Sequence, residues 1–222
     1  MTILQSFNKN PNIGLYVFST DKYVLVGKEI KDSDVEELKR VLNVPVHQIT
    51  IAGTSLLGVF IAGNEDIILV PFITFDSELE KLKELNIKFE VFQTNFTCLG
   101  NNMIFNDKGC LVSKEFSDKE VERLRTLLDM PVRKINIADT STPGASIVIN
   151  GEKAIIHRDA TPAQVEEVEK ILQVITTPTT INLGVPYVKS GIICNKFGLA
   201  IGEASGPAEI MYAESGLGFV DD

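Results

Sequence analysis

The pattern that decides the fold is the stretch Ser117-Asp118-Lys119-Glu120-Val121-Glu122-Arg123-Leu124-Arg125-Thr126-Leu127-Leu128. Counted from Val121, its apolar residues stand at offsets 0, 3, 6 and 7, which lays an apolar stripe along one face of a helix of about three turns. The stripe recurs four times, with weaker matches in the second and fifth copies: Val35-Leu38-Val41-Leu42, Leu79-Leu82-Leu85, Val165-Val168-Ile171-Leu172 and Ile210-Ala213-Gly216-Leu217. Internal repetition of this kind predicts a fold built from copies of one unit.

The residues before the stripes resemble helix starts. Ser117 with Glu120, and Thr161 with Gln164, have the spacing of a capping box, in which two side chains satisfy free backbone N–H groups. The spacing also occurs at two other stripes, and a Gly-Pro pair precedes the last one. The sequence therefore predicts helix starts at Ser33, Ser77, Ser117, Thr161 and Gly206.

A second register lies in predicted strand pairs, each of which follows a glycine and is joined by turn residues such as Asn, Asp and Gly. The glycines are Gly14, Gly58, Gly100, Gly144 and Gly191. The pairs are 15–18 with 23–26, 59–62 with 67–70, 103–105 with 110–112, 146–149 with 154–156, and 192–194 with 199–201. The glycines are 44, 42, 44 and 47 residues apart, and the stripe starts 44, 42, 44 and 45 apart. The spacing of the glycines and the spacing of the helix stripes thus independently indicate the same repeat length.

A third strand is predicted after each of the first four helices, at 46–51, 89–92, 132–137 and 179–183. The fifth unit lacks this strand, whereas a surplus strand at 2–7 precedes the first unit. Complementary ends predict an α/β fold that is a closed, five-fold pseudosymmetric ring of strand-strand-helix-strand units, a pentein or α/β propeller. We expect a single domain, 1–222, with units at about 13–55, 56–97, 98–141, 142–187 and 188–222, and with residues 2–7 completing the last.

Composition narrows the class of protein. Hydrophobic residues make up 44% of the 222 residues, enough for a substantial core, and no apolar run approaches the roughly 20 residues of a membrane span. The start of the chain does not resemble a signal peptide, and three cysteines are a poor disulfide framework. These features favour a cytoplasmic protein without a membrane contact. The net charge of −9 argues against indiscriminate nucleic-acid binding, although it can also serve solubility alone.

The sequence contains no strong motif for catalysis or for binding a cofactor. The chain has no phosphate-binding loop motif, and its two histidines, His47 and His157, are too far apart to suggest a zinc site. We therefore predict no metal, no cofactor and no catalytic residue. The alternative is a guanidine-modifying enzyme with Cys194 as nucleophile, since such enzymes also occur on five-unit rings. Because Cys194 aligns with Phe105 and Ile149, a buried structural cysteine is the favoured interpretation.

The loops that the glycines begin should gather on one rim of the ring. Their neighbours are uncharged in four units, which suits a flat protein–protein contact. The alternative is that the glycines only make turns into strands. The predicted binding residues are Gly14, Leu15, Gly58, Val59, Gly100, Asn101, Gly144 and Ala145.

Several stretches give the chain a family resemblance: Asn12-Ile13-Gly14, Val44-Pro45-Val46, Ile51-Ala52-Gly53-Thr54-Ser55-Leu56-Leu57-Gly58, Ile68-Leu69-Val70-Pro71, Leu99-Gly100-Asn101 and Asn106-Asp107-Lys108-Gly109. In their order and spacing the chain resembles the archaeal and eukaryotic translation initiation factor 6 family, the ribosome anti-association factors. Eukaryotic members carry a longer tail, so we expect an archaeal-type member.

The resemblance implies a function. Family members bind the intersubunit face of the large ribosomal subunit, mainly at large-subunit protein fourteen near the sarcin–ricin loop, and sterically block the small subunit during initiation and subunit biogenesis. Their contact surface includes positions that match Gly14, Val59 and Asn101, although other members carry a charged residue where this chain has Val59. The resemblance implies a monomer with no turnover. A structural or assembly protein with another partner is the remaining alternative.

Overall fold

The computed structural model describes residues 1–220. The predicted end of the fifth unit, at 221 and 222, lies outside the described residues. Five sheets of three strands repeat along the chain, and in each the middle strand pairs antiparallel with the first and parallel with the third. The sheets, in the order first, middle and third strand, are β2 (Val17–Ser19), β3 (Val24–Gly27) and β4 (Val46–Ile49); β5 (Ala62–Gly63), β6 (Ile68–Pro71) and β7 (Phe89–Phe92); β8 (Met103–Phe105), β9 (Cys110–Val112) and β10 (Val132–Lys134); β11 (Ile147–Asn150), β12 (Lys153–His157) and β13 (Ile175–Thr179); and β14 (Ile192–Asn195), β15 (Gly198–Gly202) and β1 (Thr2–Gln5).

One long helix follows the middle strand of each sheet, and its apolar stripe is largely buried. The helices are α1 (Asp32–Leu42), α2 (Asp76–Glu84), α3 (Asp118–Leu128), α4 (Pro162–Leu172) and α5 (Pro207–Gly216). Leu38, Leu82, Leu124 and Val168, at the same offset of their stripes, are fully buried. The helical part of the repeat is therefore confirmed, and five apolar clusters fill the spaces between helices and sheets.

The predicted helix starts are correct for three helices and wrong for two. Ser117, Thr161 and Gly206 are the N-caps of their helices, whereas α1 and α2 are preceded by Lys31 and Phe75. In all five copies the N-cap lies four residues before the stripe, so Ser33 and Ser77 lie inside their helices. Packing of the stripe, rather than the capping residue, sets where the helix begins.

The predicted strand at 179–183 is also wrong, because β13 lies four residues earlier. It contains Pro178, which has no backbone N–H to donate. Since β13 is at the edge of its sheet, a proline costs it no ladder hydrogen bond. Residues 181–185 instead form a tight turn closed by a bridge between Ile181 and Val185.

The ends of the chain meet in the fifth sheet. Strand β1 pairs parallel with β15, so that Thr2 lies opposite Leu199 and Gln5 opposite Gly202. This is the position that the third strand occupies in the other four sheets. The chain is thus an α/β ring of five repeated units, the fold of penteins. Within residues 1–220, no helix combines the length and apolar character that crossing a membrane requires.

Candidate functional site

Five short helical turns surround the axis of the ring, where open loops were predicted. We call them the axial turns: Ile13–Leu15, Leu57–Phe60, Leu99–Asn102, Pro143–Ser146 and Val188–Gly191. Each axial turn contacts the next, and the last contacts the first. The face of the ring on which they lie is here called the glycine face. The opposite face carries the strand-pair turns and is called the hairpin face.

Close backbone contact between axial turns leaves no room for a side chain at four of the five equivalent positions. A Cβ atom on Gly58 would lie 1.9 Å from the carbonyl oxygen of Gly14, and one on Gly100 would lie 2.3 Å from that of Gly58. On Gly144 it would lie 2.4 Å from the oxygen of Gly100. Real Cβ atoms do not approach so closely, so these glycines allow the turns to close around the axis.

The fifth member of this set is Lys189 rather than Gly191, which corrects the sequence-based assignment. A Cβ atom on Gly14 would lie 1.9 Å from the carbonyl oxygen of Lys189. This is the same distance that a Cβ atom on Gly58 would have from the carbonyl oxygen of Gly14. A Cβ on Gly191 would instead meet the side chains of Ile181 and Asn182. The fifth position of the repeat is not a glycine, so a search for glycines selects Gly191 instead of Lys189. From 144 to 189 is 45 residues, which equals the spacing of the last two stripe starts, 165 and 210.

The eight predicted binding residues are brought together, at the centre of the glycine face rather than at its rim. The four glycines are buried, whereas Leu15, Val59, Asn101 and Ala145 are partly exposed. A cavity of about 380 Å³ opens here, with a lining that includes Gly14, Leu15, Gly58, Asn101, Ala145 and Lys189. Thr142 and Tyr187 also line it and were missed by sequence reasoning. Both could have been found from the repeat, because they lie two residues before Gly144 and Lys189.

A second cavity of about 250 Å³ lies on the axis toward the hairpin face. The first strands of the sheets line its wall with apolar residues. The strand-pair turns contribute four carboxylates, from Asp21, Glu65, Asp66 and Asp107. Gly14 and Lys189 line both cavities, so the two meet at the axial turns.

Lys189 has a strongly perturbed electrostatic environment near the axis. Its Nζ donates a hydrogen bond of 2.7 Å to the carbonyl oxygen of Gly100. Among residues 1–220, no carboxylate forms an ion pair with it. Although Lys189 is partly exposed, desolvation of its ammonium group lowers its pKa from 10.5 to about 8. At neutral pH the ring thus holds a positive charge that no residue in the described chain neutralises.

The environment of Cys194 does not suit a nucleophile. The thiol is buried, and its burial together with the charge of Asp21 raises its pKa to about 12. Its Sγ atom lies 4.0 Å from the carbonyl oxygen of Ile149. A reactive thiolate needs a neighbouring cation or base that lowers its pKa, and Cys194 has the opposite surroundings.

The histidines do not supply that base or a metal site. His157 ends β12, where its Nδ1 accepts a hydrogen bond from the backbone of Asp159 and its ring packs edge-on against Tyr187. Burial lowers the pKa of both His157 and His47. In the part of the chain that the structure describes, no cluster of His, Cys, Asp and Glu could hold a metal ion.

Comparison with known proteins gives a family. The sequence model described as the eIF-6 family matches residues 3–216. The chain is 33% identical to "Translation initiation factor 6" of Thermococcus onnurineus (strain NA1), over 97% of both chains. It is 36% identical to the protein of that name from Pyrococcus furiosus, over 96% of this chain and 97% of the relative.

Solved structures show the fold alone. The N-terminal domain of ArgZ, an arginine dihydrolase from cyanobacteria, superposes with a TM-score of 0.55 at 8% identity, over 82% of this chain and 73% of that one. A dimethylarginine dimethylaminohydrolase, in an adduct with S-methyl-L-thiocitrulline, gives a TM-score of 0.53 at 17% identity, over 75% and 68% of the two chains. At such low identity, the likeness carries no information about activity.

Proposed function

The chain belongs to the eIF-6 family, and on that premise we propose that it binds the large ribosomal subunit at its intersubunit face and sterically prevents the small subunit from joining. Members named in the comparison are translation initiation factors. In this proposal the protein acts as a cytoplasmic monomer in initiation and in large-subunit biogenesis. Its contact is large-subunit protein fourteen, in the vicinity of the sarcin–ricin loop of the rRNA.

The observation that carries the proposal is the composition of the glycine face at its centre. Four of the five axial turns present uncharged, partly exposed residues there: Leu15, Val59, Asn101 and Ala145. A patch with few charges at its core is typical of a protein–protein contact. The hairpin face is different, because exposed ion pairs such as Lys22–Asp66 and Lys108–Asp107 cover its turns, and such pairs are costly to desolvate.

The proposed mechanism needs no chemical step. Binding places the bulk of the ring where the small subunit would dock, so the two subunits cannot occupy the site together. The raised pKa of the Cys194 thiol agrees with a protein that acts by occupancy. Nothing in the geometry favours the guanidine-modifying alternative over this one.

The experiment that tests the proposal compares two double variants of equal charge change. Asn101→Glu with Val59→Glu places two carboxylates on the glycine face, where both residues are partly exposed. Phe197→Glu with Ile175→Glu does the same on the hairpin face, where these side chains are 40% and 62% exposed. Co-sedimentation with isolated large subunits measures binding, and a gradient assay with both subunits measures joining.

We expect the glycine-face variant to bind large subunits about tenfold or more weakly, since desolvated charges at the core of a contact are unfavourable. It should also lose the block on joining, while the hairpin-face variant matches the wild type. Equal binding by the two variants would show that the glycine face is the wrong surface. A wild-type protein that ignores large subunits would refute the function itself.

A further inference from the structure

We propose that the cavity of the glycine face is a binding site for one carboxylate group, held by Lys189. Resting on the function proposed above, we further propose that in the complex this group is an acidic side chain of a large-subunit protein. The axial turns would then carry one charged anchor at the centre of an uncharged contact.

The charge at Lys189 lacks a counter-charge. An ammonium group has three N–H donors, and the structure gives Lys189 one hydrogen bond, to a neutral carbonyl oxygen. Other lysines of the described chain, such as Lys22 and Lys108, form ion pairs with carboxylates at exposed sites. A charge that is partly withdrawn from water and has no partner is unfavourable, and a ligand of opposite charge reduces that cost.

The two cavities beside Lys189 differ in their suitability for an anion. The cavity toward the hairpin face contains Asp21, Glu65, Asp66 and Asp107, which repel a second negative charge. The lining of the glycine-face cavity contains no acidic side chain. An anion should therefore reach Lys189 from the glycine face.

A second polar group in the same cavity can assist. Asn101 lines it, and within residues 1–220 its side-chain amide has no hydrogen-bond partner, although its backbone N–H donates to Cys98. A carboxylate has two oxygens and accepts several hydrogen bonds. One oxygen can bind the ammonium of Lys189 while the other accepts from an amide such as that of Asn101.

Shape and charge favour a protein carboxylate over an RNA phosphate. The cavity is a recess of about 380 Å³ on the axis, and an Asp or Glu side chain can enter it at the end of its own flexible stem. A backbone phosphate carries its chain on both sides and stays at the surface of folded RNA. The net charge of −9 also opposes contact with phosphates.

The first test uses the isolated full chain with ¹³C-labelled lysine. Potassium acetate is titrated at fixed ionic strength, while NMR follows Lys189 Cε and the side-chain amide of Asn101. We expect saturable shifts at both, and a rise in the pKa of Lys189 toward 10.5, because a bound anion favours the charged form. Lys108 Cε, exposed on the hairpin face, is the internal control.

Three results would overturn the carboxylate site: no saturable shift at Lys189, an equal response at Lys108, or an unchanged Asn101 shift in Lys189→Met. If inorganic phosphate shifts Lys189 and acetate does not, the site takes phosphate and an RNA contact replaces the protein side chain. The titration of the wild-type protein, with Lys108 as its control, does not depend on whether a variant folds.

The second test is binding to isolated large subunits. We expect Lys189→Met to bind about thirtyfold more weakly, because it leaves the partner's carboxylate buried and unpaired, and Lys108→Met to bind as the wild type. If the wild type binds and Lys189→Met binds equally well, the acidic partner is refuted and the function stands. If the wild type does not bind, the function fails, while the acetate titration still decides the carboxylate site.

Discussion

At the scale of single residues, Lys189 is the one whose identity matters most, because it stands where four other units have glycine. Its carbonyl oxygen makes the same close approach to the next turn that the glycines make. Its side chain adds what they lack, a cation on the axis of the ring. The five units therefore share the backbone arrangement of the axial turn, but only the fifth unit adds a charged side chain there.

The cost of this charge predicts how stability depends on pH. The pKa of Lys189 falls from 10.5 to about 8 in the folded chain, with desolvation as the cause. Between these values the unfolded chain binds more protons, so folding stability rises with pH through this window, and the full penalty is present below it. The carboxylates that line the hairpin-side cavity, Asp21, Glu65, Asp66 and Asp107, do not contribute to the shift.

Lys189→Met should therefore be more stable than the wild type at pH 7, by about 2 kcal/mol after the lost hydrogen bond to Gly100 is subtracted. The advantage should disappear by about pH 10.5, the unfolded pKa. Urea unfolding in chloride buffers free of carboxylates measures the difference. A variant that is less stable at pH 7, or a difference that does not change with pH, would contradict the unpaired charge.

At the scale of elements, asparagines in the strand-pair turns join neighbouring units. Asn106, Asn150 and Asn195 donate from Nδ2 to the carbonyl oxygens of Leu172, Leu217 and Leu42, each at the end of the next unit's long helix. The bond of 2.8 Å from Asn195 to Leu42 links the fifth unit to the first. These side chains satisfy carbonyl groups that a helix end leaves unpaired.

Asn195→Ala should destabilise the ring by about 3 kcal/mol, because it leaves the buried oxygens of Thr20 and Leu42 without their donor. Asn64→Ala is the matched control. Asn64 accepts the same two bonds within its turn, from the backbone N–H groups of Asp66 and Ile67. Its one bond to the next unit, 3.3 Å to the carbonyl oxygen of Asn106, reaches a turn rather than a helix end. Its loss should cost about 1 kcal/mol. Equal urea-unfolding losses for the two variants would mean that the bond to the helix end contributes no more than the bond between turns.

Helices and strands were predictable wherever the apolar pattern is strong. The stripe at Val121 and the strands at 103–105, 110–112 and 89–92 match the structure residue for residue. The predicted helix starts and strand bounds were wrong where the local residue preference and the packing of the apolar residues favour different positions. Ser33 and Ser77 are good capping residues, yet burial of the stripe extends both helices past them. Likewise, an edge position allowed β13 to include Pro178.

The candidate site was only partly predictable. Glycine spacing indicated that Gly14, Gly58, Gly100 and Gly144 lie together, and the structure places them around one axis. Their burial, and the exposure of the residues that follow them, depend on how five turns pack against one another. The importance of Lys189 could have been found from its spacing of 45 residues from Gly144. Its unpaired charge could not, since that follows from the ring geometry.

At the scale of the whole molecule, closure of the ring gives the two faces different properties. Because β1 completes the fifth sheet, all five axial turns lie on one side and all five strand-pair turns on the other. On one side, Lys189 is the one charged residue in the lining of the central cavity, and the other side carries exposed ion pairs. In the proposed function, the molecule is an obstacle that binds through the first side and presents the second to solvent.

Electron cryomicroscopy of the wild-type chain bound to isolated large ribosomal subunits tests this account most directly. We predict that the glycine face, with Val59 and Asn101 at its centre, lies against the intersubunit face, and that the strand-pair turns point away from it. A ring seated through its hairpin face, or bound where a docked small subunit would not collide with it, would contradict the account.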